Sequence, residues 1–166
     1  MQLLKWLDEN FEKTICVFLM SAMTSIIFLQ FVMRRVFNNS LVWSEELARY
    51  MFIWLIYIGI AYGAKLKRHI KVEILVNTLP NKMQPYLLLL GEVIFFGFAV
   101  FIIYSSYGII LRQMALGQNS PALGIPMAAV YAAPTVGFFL TSIRQVQVIK
   151  DNVADILWGT GGENRG

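Results

Sequence analysis

Long apolar stretches without charge constrain this chain more than any other feature of its sequence. Residues 14–33 carry no charge between Lys13 and Arg34, and at 1.5 Å per residue such a helix nearly covers a hydrocarbon core of ~30 Å. Of the 166 residues, 57% are hydrophobic and 14% are charged. This composition is typical of an integral membrane protein and unlike that of a soluble domain.

Three further apolar stretches follow the first. Residues 50–64 carry no charge but are too short to span the membrane alone. The helix becomes long enough only if it includes the charged turn at residues 45–49. The two acids and the arginine of that turn are therefore expected at a membrane interface. The third stretch follows Pro85, a residue suited to a first helical turn, and Glu92 is its only charge before Arg112. Prolines disfavour regular helix early in the last charge-free tract, which places the fourth span at residues 127–148.

These spans predict an all-α integral membrane fold with a single four-helix domain over residues 1–150. The predicted spans are residues 14–34, 44–64, 86–111 and 127–148, and residues 151–166 form a tail. The first residues place Leu and Phe at helical spacing among charges and lack a secretion cleavage site, which predicts an amphipathic helix lying on the membrane. A plain extension of the first span is the alternative. Residues 65–82 mix basic and aliphatic side chains and predict a second surface-lying segment.

The distribution of basic residues predicts the orientation in the membrane. Two basic residues precede span one, five lie between spans two and three, and three lie near the end of span four or after it, so these segments hold ten of the fourteen. Four spans place all three segments on one side, and the positive-inside rule makes that side the cytoplasm. Both termini are therefore expected in the cytoplasm. A three-span chain would divide the basic segments between the two sides and is disfavoured.

Residues with catalytic or metal-binding chemistry are scarce in the sequence. Cys16 is the only cysteine and His69 the only histidine, so the chain alone assembles neither a disulfide nor a thiolate metal site. Haem ligation between helices needs facing histidines inside the spans. Phosphate-binding loops and nucleophile motifs are absent from the sequence. We therefore expect neither an enzyme nor a cofactor, and no binding of nucleic acid.

Two features inside the spans suggest contacts between helices. Gly59 and Gly63 are four residues apart and allow another helix to approach closely, and packing within this chain is favoured over contact with a partner. Glu92 lies about two turns into the third span, where an ionised carboxylate is costly. It is either a coupling-ion or proton site or a structural hydrogen-bond acceptor, and the second interpretation is favoured because the sequence shows no polar relay beside it.

The charged entrance to span two has two interpretations. Ser44 is a candidate N-cap, and Glu45 and Glu46 then lie in the first turn, where carboxylates complement the helix dipole. Arg49 follows at the spacing of a helical ion pair, although exposed pairs of this kind contribute only ~0–1 kcal/mol. Aromatic residues lie at the same level, as in a membrane-interface belt. The entrance is therefore either an interface anchor or a polar contact to a second protein.

Three motifs give the chain a family resemblance. They are W-S-E-E-L-A-R-Y-M-F-I-W at residues 43–54 with Gly59 after it, H-I-K-V at residues 69–72, and S-P-A-L-G-I-P at residues 120–126 with Tyr131 and Pro134 after it. Together they resemble the small membrane subunit, or DctQ-like subunit, of tripartite ATP-independent periplasmic (TRAP) transporters. The resemblance extends from about residue 11 to residue 144.

The resemblance implies a role in transport across the bacterial inner membrane. Transporters of this family take up carboxylate solutes, such as sialic acid or C4-dicarboxylates, by secondary active symport with an ion, usually sodium. The expected partners are a large permease subunit, which carries the solute and ion sites, and a periplasmic solute-binding protein. The small subunit packs in the lipid bilayer beside the large one and widens its fixed scaffold. Candidate residues for the partner interface are Trp43, Glu45, Glu46, Arg49, Trp54, Gly59, Gly63, Ser120, Pro121 and Pro126.

Two other classes of function remain as alternatives. A small proton-coupled exporter that acts as a homodimer would need an acid inside the membrane, and Glu92 is the candidate in the third span. An assembly factor would act without belonging to the finished transporter. Nothing in the chain resembles a path for a carboxylate solute, since residues 113–143 offer no cation.

Overall fold

A computed structural model describes residues 2–65 and 84–158 of the chain. Four helices account for its regular structure: α1 is Gln2–Val36, α2 is Val42–Lys65, α3 is Gln84–Leu116 and α4 is Met127–Trp158. The described residues contain no β-strand, only an isolated bridge between Asn119 and Pro126. The all-α class predicted from the sequence is confirmed.

Among the described residues, three helical segments are long and apolar enough to cross a membrane. They are Asn10–Val36, Val42–Lys65 and Leu89–Leu116, and they fall on the first three predicted spans. The fourth predicted span lies within α4, which is not in this group, and it therefore stays a prediction. Apolar windows of this length mark a membrane protein.

The ends of the helices refine the expected segments. α1 is one continuous helix from Gln2, without a break before the first span. Whether its first turns lie on the membrane surface stays a prediction. The second surface-lying segment falls almost entirely outside the described residues. α4 continues to Trp158, well past the expected end of the fourth span.

Contacts between the helix backbones give the order α1–α2–α4–α3, an arrangement that we call an open layer. Within the described part of the chain, α2 contacts α1 on one side and α4 on the other, and α3 contacts α4 alone. The short connections at residues 37–41 and 117–126 lie at the same end of this layer, which we call the upper end, and α1 begins at the lower end. The outer helices α1 and α3 therefore each have backbone contacts with one helix only, although the Glu12 side chain of α1 also reaches Arg144 of α4.

Small residues and one aromatic side chain form the centre of the layer. Gly137 of α4 lies against Tyr57 of α2, so closely that an added Cβ would be 2.6 Å from the Tyr57 Cβ. Phe138 contacts the rings of Tyr57 and Phe98, with centroid distances of 6.1 and 5.9 Å, and so joins α2 to α3. The buried apolar residues are Ala48, Ile58, Ala61, Ala64, Ala99, Val130, Ala133, Phe138 and Val148. In lipid, no hydrophobic force drives helices together, so their association depends on van der Waals packing. Small side chains favour this packing because they let the helices approach closely.

The predicted packing of two glycines within the chain is wrong. A Cβ built on Gly59 or Gly63 meets no atom within 4 Å, so neither residue is in a close helix crossing. The close crossing of α2 uses Tyr57 instead, which is two residues before Gly59 and therefore points to a nearly opposite side of the helix. Ser21 and Ser25, which have the same spacing in α1, are also exposed, and the Ser25 hydroxyl donates to the Ser21 carbonyl oxygen.

Candidate functional site at the entrance of α2

The two adjacent acids at the start of α2 bind different parts of the molecule. Gln30, which is buried near the upper end of α1, donates from Nε2 to Glu45 Oε1 at 2.6 Å. The contact crosses from α1 to α2 and supplies a donor for a carboxylate at a membrane boundary. A charge-assisted hydrogen bond of this length is stronger than one between neutral groups. Glu45 therefore ties the first two helices together.

Glu46 points the other way and binds the connection between α3 and α4. Its Oε2 accepts hydrogen bonds from the backbone N–H groups of Ala122 and Leu123, at 2.8 and 3.1 Å. Its Oε1 accepts a short hydrogen bond from the Tyr50 hydroxyl, one turn further along α2. The sulfur of Met127 lies 3.5 Å from that hydroxyl. One carboxylate thus joins the entrance of α2 to the entrance of α4.

The connection that Glu46 binds is itself tightly ordered. Ser120 N–H donates to the Ile125 carbonyl at 2.8 Å, Gly124 N–H donates to the Ser120 carbonyl at 3.0 Å, and Met127 N–H donates to the Gln118 carbonyl at 2.9 Å. Gly124 has φ of 67°, a left-handed conformation that glycine adopts without strain. The buried Ser120 hydroxyl accepts from Ile125 N–H at 3.3 Å. The S-P-A-L-G-I-P motif therefore encodes a compact turn that presents two N–H groups to Glu46.

Two details of the predicted entrance are wrong. α2 begins at Val42, so Ser44 lies inside the first turn, and its buried hydroxyl donates to the Leu41 carbonyl at 2.7 Å instead of capping the helix. Arg49 forms no salt bridge with Glu45 or Glu46 in the described part of the chain. Glu45 is instead bound by Gln30, and Glu46 by Tyr50 and the turn before α4. Arg49 is exposed.

The remaining candidates at this end lie at the surface of the molecule. Trp43 is exposed, and Pro121 and Pro126 are exposed in the connection before α4, whereas Trp54 is partly exposed near the middle of α2. Glu45 and Glu46 are thus engaged inside the chain, while Trp43, Arg49 and the two prolines face outward. An inward polar network combined with an outward apolar and cationic surface suits a contact with lipid or with a second protein.

A second polar contact lies between α3 and α4. Gln145, fully buried, donates from Nε2 to the Glu92 carboxylate in a short contact and lies 3.4 Å from the Glu92 carbonyl oxygen. Glu92 is itself buried. An amide donor at the same depth in a neighbouring helix reduces the cost of placing this acid in the membrane. The geometry favours the structural interpretation of Glu92.

A third polar contact holds the lower end of the layer. Glu12 of α1 is 1% exposed, and its Oε1 lies 2.7 Å from both Nε and a terminal nitrogen of Arg144 on α4. Its Oε2 lies 3.5 Å from Lys65 Nζ at the end of α2. The cluster brings together three helices, including α1 and α4, which are not neighbours in the layer.

Sequence reasoning missed the roles of Glu12, Arg144 and Gln145. Arg144 entered only the count of basic residues that predicts the orientation, and Glu12 was one of the charges of the predicted amphipathic helix. Gln145 lies near the expected end of a span, where polar residues are common. A usable signal existed for Gln145. Spans three and four are antiparallel neighbours, so a donor for Glu92 had to lie at the same depth near the lower end of the fourth span, where the sequence places this amide.

The described residues offer no site for a metal ion. No group of three or more His, Cys, Asp or Glu side chains converges within residues 2–65 and 84–158. Cys16 is a partly exposed free thiol in α1. His69 lies outside the described residues.

Comparison with known proteins identifies the family. Residues 23–155 match the family described as tripartite ATP-independent periplasmic transporters, DctQ component. The chain is 32% identical over 157 residues to the isethionate TRAP transporter permease protein DctMQ of Oleidesulfovibrio alaskensis, covering 91% of this chain but 25% of that protein. It is 30% identical over 128 residues to a putative TRAP transporter small permease protein of Haemophilus influenzae, covering 77% and 78%.

A third relative carries the name of a solute class. The chain is 28% identical over 99 residues to the C4-dicarboxylate TRAP transporter small permease protein DctQ of Vibrio cholerae, covering 60% of this chain and 43% of that protein. The family match covers most of the sequence, including the entrance of α2 and the turn that Glu46 binds. This chain belongs to the DctQ component family of tripartite ATP-independent periplasmic transporters.

Proposed function

We propose that this chain is the small membrane subunit of a TRAP transporter and forms part of a static scaffold beside a large permease subunit. The observation that carries the proposal is the open order of the four helices, in which α1 and α3 do not pack against each other within the described chain, while the carboxylates of Glu12, Glu45, Glu46 and Glu92 are all bound by other groups of the chain. Such an arrangement leaves a flank of α1 and a flank of α3 available to a partner. It suits a structural support better than a solute path, which needs a polar cavity between helices.

The exposed apolar surface of α3 supports a partner at one edge of the layer. Its exposed side chains include several aromatic rings, and a partner helix could bury them by van der Waals packing. They are Tyr86, Leu90, Val93, Ile94, Phe98, Val100, Phe101, Tyr104, Tyr107, Ile109, Leu111, Met114 and Leu116. The Oleidesulfovibrio relative, a permease protein about four times as long as the matched segment, supports the physical association of such a layer with a larger membrane protein.

The solute of the complex is proposed as a small organic anion. The resemblance suggested carboxylates, whereas one relative is named for isethionate, which carries a sulfonate. Carboxylate and sulfonate are both accepted by arginine-rich sites. Sialic acid, C4-dicarboxylates and sulfonates are therefore all candidates. We place the solute site in the large subunit and propose sodium as the coupling ion.

The orientation follows from the charge distribution. We propose that the upper end faces the periplasm and the lower end faces the cytoplasm of a bacterial inner membrane. In this orientation Arg49, Trp43 and the prolines of the connection before α4 are available to a periplasmic solute-binding protein. Glu45 and Glu46 then act indirectly, because they fix the helix entrances that present those residues.

Joint purification and reconstitution test the proposed function. We expect a tagged chain, expressed with its cognate large permease, to yield a stoichiometric complex. Proteoliposomes should accumulate a labelled organic anion only with both membrane subunits, the binding protein and an inward sodium gradient. Uptake by the large permease without this chain would contradict the scaffold role. Transport by the purified chain alone would favour the homodimeric exporter, and a chain absent from the active complex would favour the assembly factor.

A further inference from the structure

We propose that the cleft at the upper end of α1 binds the headgroup phosphate of an anionic phospholipid. Phe31, Arg34, Arg35 and Asn38 line this cleft, which has a volume of about 450 Å³. It is separate from the contacts of Glu45 and Glu46. The proposal concerns this chain by itself and does not depend on the proposed role in a transporter.

The charge of the cleft is uncompensated within the described chain. Arg34 and Arg35 are exposed, and neither forms a salt bridge within residues 2–65 and 84–158. The acids at the upper end are Glu45 and Glu46, which are bound by Gln30 and by the turn before α4. Arg49 and Arg112 are also exposed at this end. The upper end therefore has four arginines and two acids, a formal excess of two positive charges. Anions from outside the chain are needed to balance this excess.

The way in which α1 ends gives the cleft its shape. The N–H groups of Phe37 and Asn39 both donate to the Met33 carbonyl, at 3.2 and 3.1 Å. Asn38 between them has φ of 50°, a left-handed conformation that asparagine tolerates better than most residues and that commonly ends helices. The chain thus turns back over the last helical turn, and Asn38 lines the cleft together with the two arginines.

The position of the cleft along α1 selects a lipid as the occupant. The segment Asn10–Val36 is long and apolar enough to span a membrane, so its last turn lies at the level of the headgroups. Phe31 and Phe28, four and seven residues before Arg35, continue the same helix face toward the hydrocarbon, and both are exposed. A guanidinium fork matches the oxygens of a phosphate, and the phenyl rings offer an apolar surface to an acyl chain. Free phosphate and an acidic protein surface would use the arginines but leave the rings unused.

Native mass spectrometry of the full purified chain tests this proposal. The chain in a mild detergent is titrated with phosphatidylglycerol or with phosphatidylcholine of the same acyl chains. We expect one tightly retained phosphatidylglycerol, and weaker retention of phosphatidylcholine. The double variant R34Q/R35Q should lower the affinity on the order of tenfold, because it removes two charge-assisted contacts to one phosphate. R112Q removes a positive charge from the same end outside the cleft and should leave the affinity unchanged.

Several results would overturn the lipid site. An equal loss in R112Q would mean that net charge alone attracts the lipid. Displacement of the lipid by millimolar inorganic phosphate would identify a site for the free anion. Unchanged lipid retention in R34Q/R35Q, with loss of binding to an acidic protein partner, would assign the cleft to that protein. Circular dichroism and thermal unfolding of each variant confirm that the changes act on a folded chain.

Discussion

Glu45 and Glu46 are adjacent in the chain but bind in opposite directions across the layer of helices. Successive residues of a helix are about 100° apart, so neighbouring side chains face different elements. Glu45 reaches Gln30 on α1, and Glu46 reaches the two N–H groups of the turn before α4. A pair of acids that looked like a single charged feature therefore fixes two separate connections of α2.

We expect Glu46→Ala to loosen the turn before α4. The change removes the acceptor of the Ala122 and Leu123 N–H groups and the partner of the Tyr50 hydroxyl. Limited proteolysis should cut residues 117–126 faster, and the Tm in detergent should fall. Glu46→Gln keeps an acceptor oxygen and should give a smaller change. Arg49→Ala is the matched control, since Arg49 holds no salt bridge, and equal loss of stability in Arg49→Ala would contradict this interpretation.

Arg49→Ala should instead act on partners. If the exposed surface of the upper end receives the binding protein or the large subunit, this variant keeps its Tm and loses affinity for one of them. Surface charges at the rim of an interface act mainly on the association rate and its salt dependence. Surface plasmon resonance at two salt concentrations measures both, and an unchanged association rate with both partners would exclude Arg49 from the interfaces.

Variants of Glu92 and Gln145 test whether the buried acid serves as a structural hydrogen-bond acceptor. Glu92→Gln should retain assembly and transport, because an amide oxygen can still accept from the Gln145 side chain. Gln145→Leu should cost about 1–3 kcal/mol, because it leaves a buried acid without this donor. The double variant Glu92→Leu/Gln145→Leu should recover part of that loss. Thermal unfolding and uptake assays distinguish the outcomes, and an assembled but inactive Glu92→Gln variant would show that the acid carries an ion or a proton.

At the scale of helices, the closest approach in the layer is the crossing of α2 and α4. Gly137→Ala places a Cβ 2.6 Å from the Tyr57 Cβ and 2.7 Å from its carbonyl oxygen. Backbone atoms cannot move aside as a flexible side chain can, so we expect a loss of about 1–3 kcal/mol. Gly59→Ala, where a Cβ meets nothing within 4 Å, is the control and should leave the isolated chain unchanged. Equal Tm values for the two variants would argue against the crossing.

The lower end is held by a buried ion cluster that connects three helices. Arg144→Ala leaves the Glu12 carboxylate, which is 1% exposed, without its closest partner. Breaking a buried pair in this way costs about 3–5 kcal/mol. Lys65→Ala should cost less, because its nitrogen lies 3.5 Å from Glu12 and its side chain is partly exposed. The exchange Glu12→Arg/Arg144→Glu should recover stability relative to Arg144→Ala, as measured by thermal unfolding, if the pair rather than each residue separately is required.

The helices could be predicted from the sequence because their cause is local. The lengths of the charge-free stretches predicted the membrane-spanning parts of α1, α2 and α3. The prolines before residue 127 predicted where α4 begins. The contacts between helices depend on how each helix is rotated about its own axis. The spacing of residues in the sequence does not determine this rotation. Gly59 and Gly63 had the spacing of a close contact and face away from the other helices, whereas Gly137 makes the contact without any glycine partner. Hydrogen bonds such as those of Glu46 join residues far apart in the chain, beyond the reach of helical periodicity.

At the scale of the whole molecule, the open layer makes a specific prediction about distances. Spin labels on α1 and α2, on α2 and α4, or on α4 and α3 should give short distances, and labels on α1 and α3 should give the longest. A closed four-helix bundle would instead bring α1 and α3 close together. The measurement by pulsed electron paramagnetic resonance needs the change Cys16→Ser, because Cys16 is the only native thiol. The same distances in the complex with the large permease would indicate a layer that acts as a rigid scaffold.

The orientation of the layer can be tested with the same cysteine-free chain. Under the proposed topology, Gln118 in the upper connection faces the periplasm and Lys150 near the lower end of α4 faces the cytoplasm. A membrane-impermeant maleimide should therefore label Gln118→Cys in intact spheroplasts and label Lys150→Cys only after the membrane is opened. Labelling of both sites in intact spheroplasts would mean that α4 does not cross the membrane, which would overturn the fourth span. The reverse pattern would mean that the excess of arginines at the upper end faces the cytoplasm, where it would follow the positive-inside rule and need no periplasmic partner.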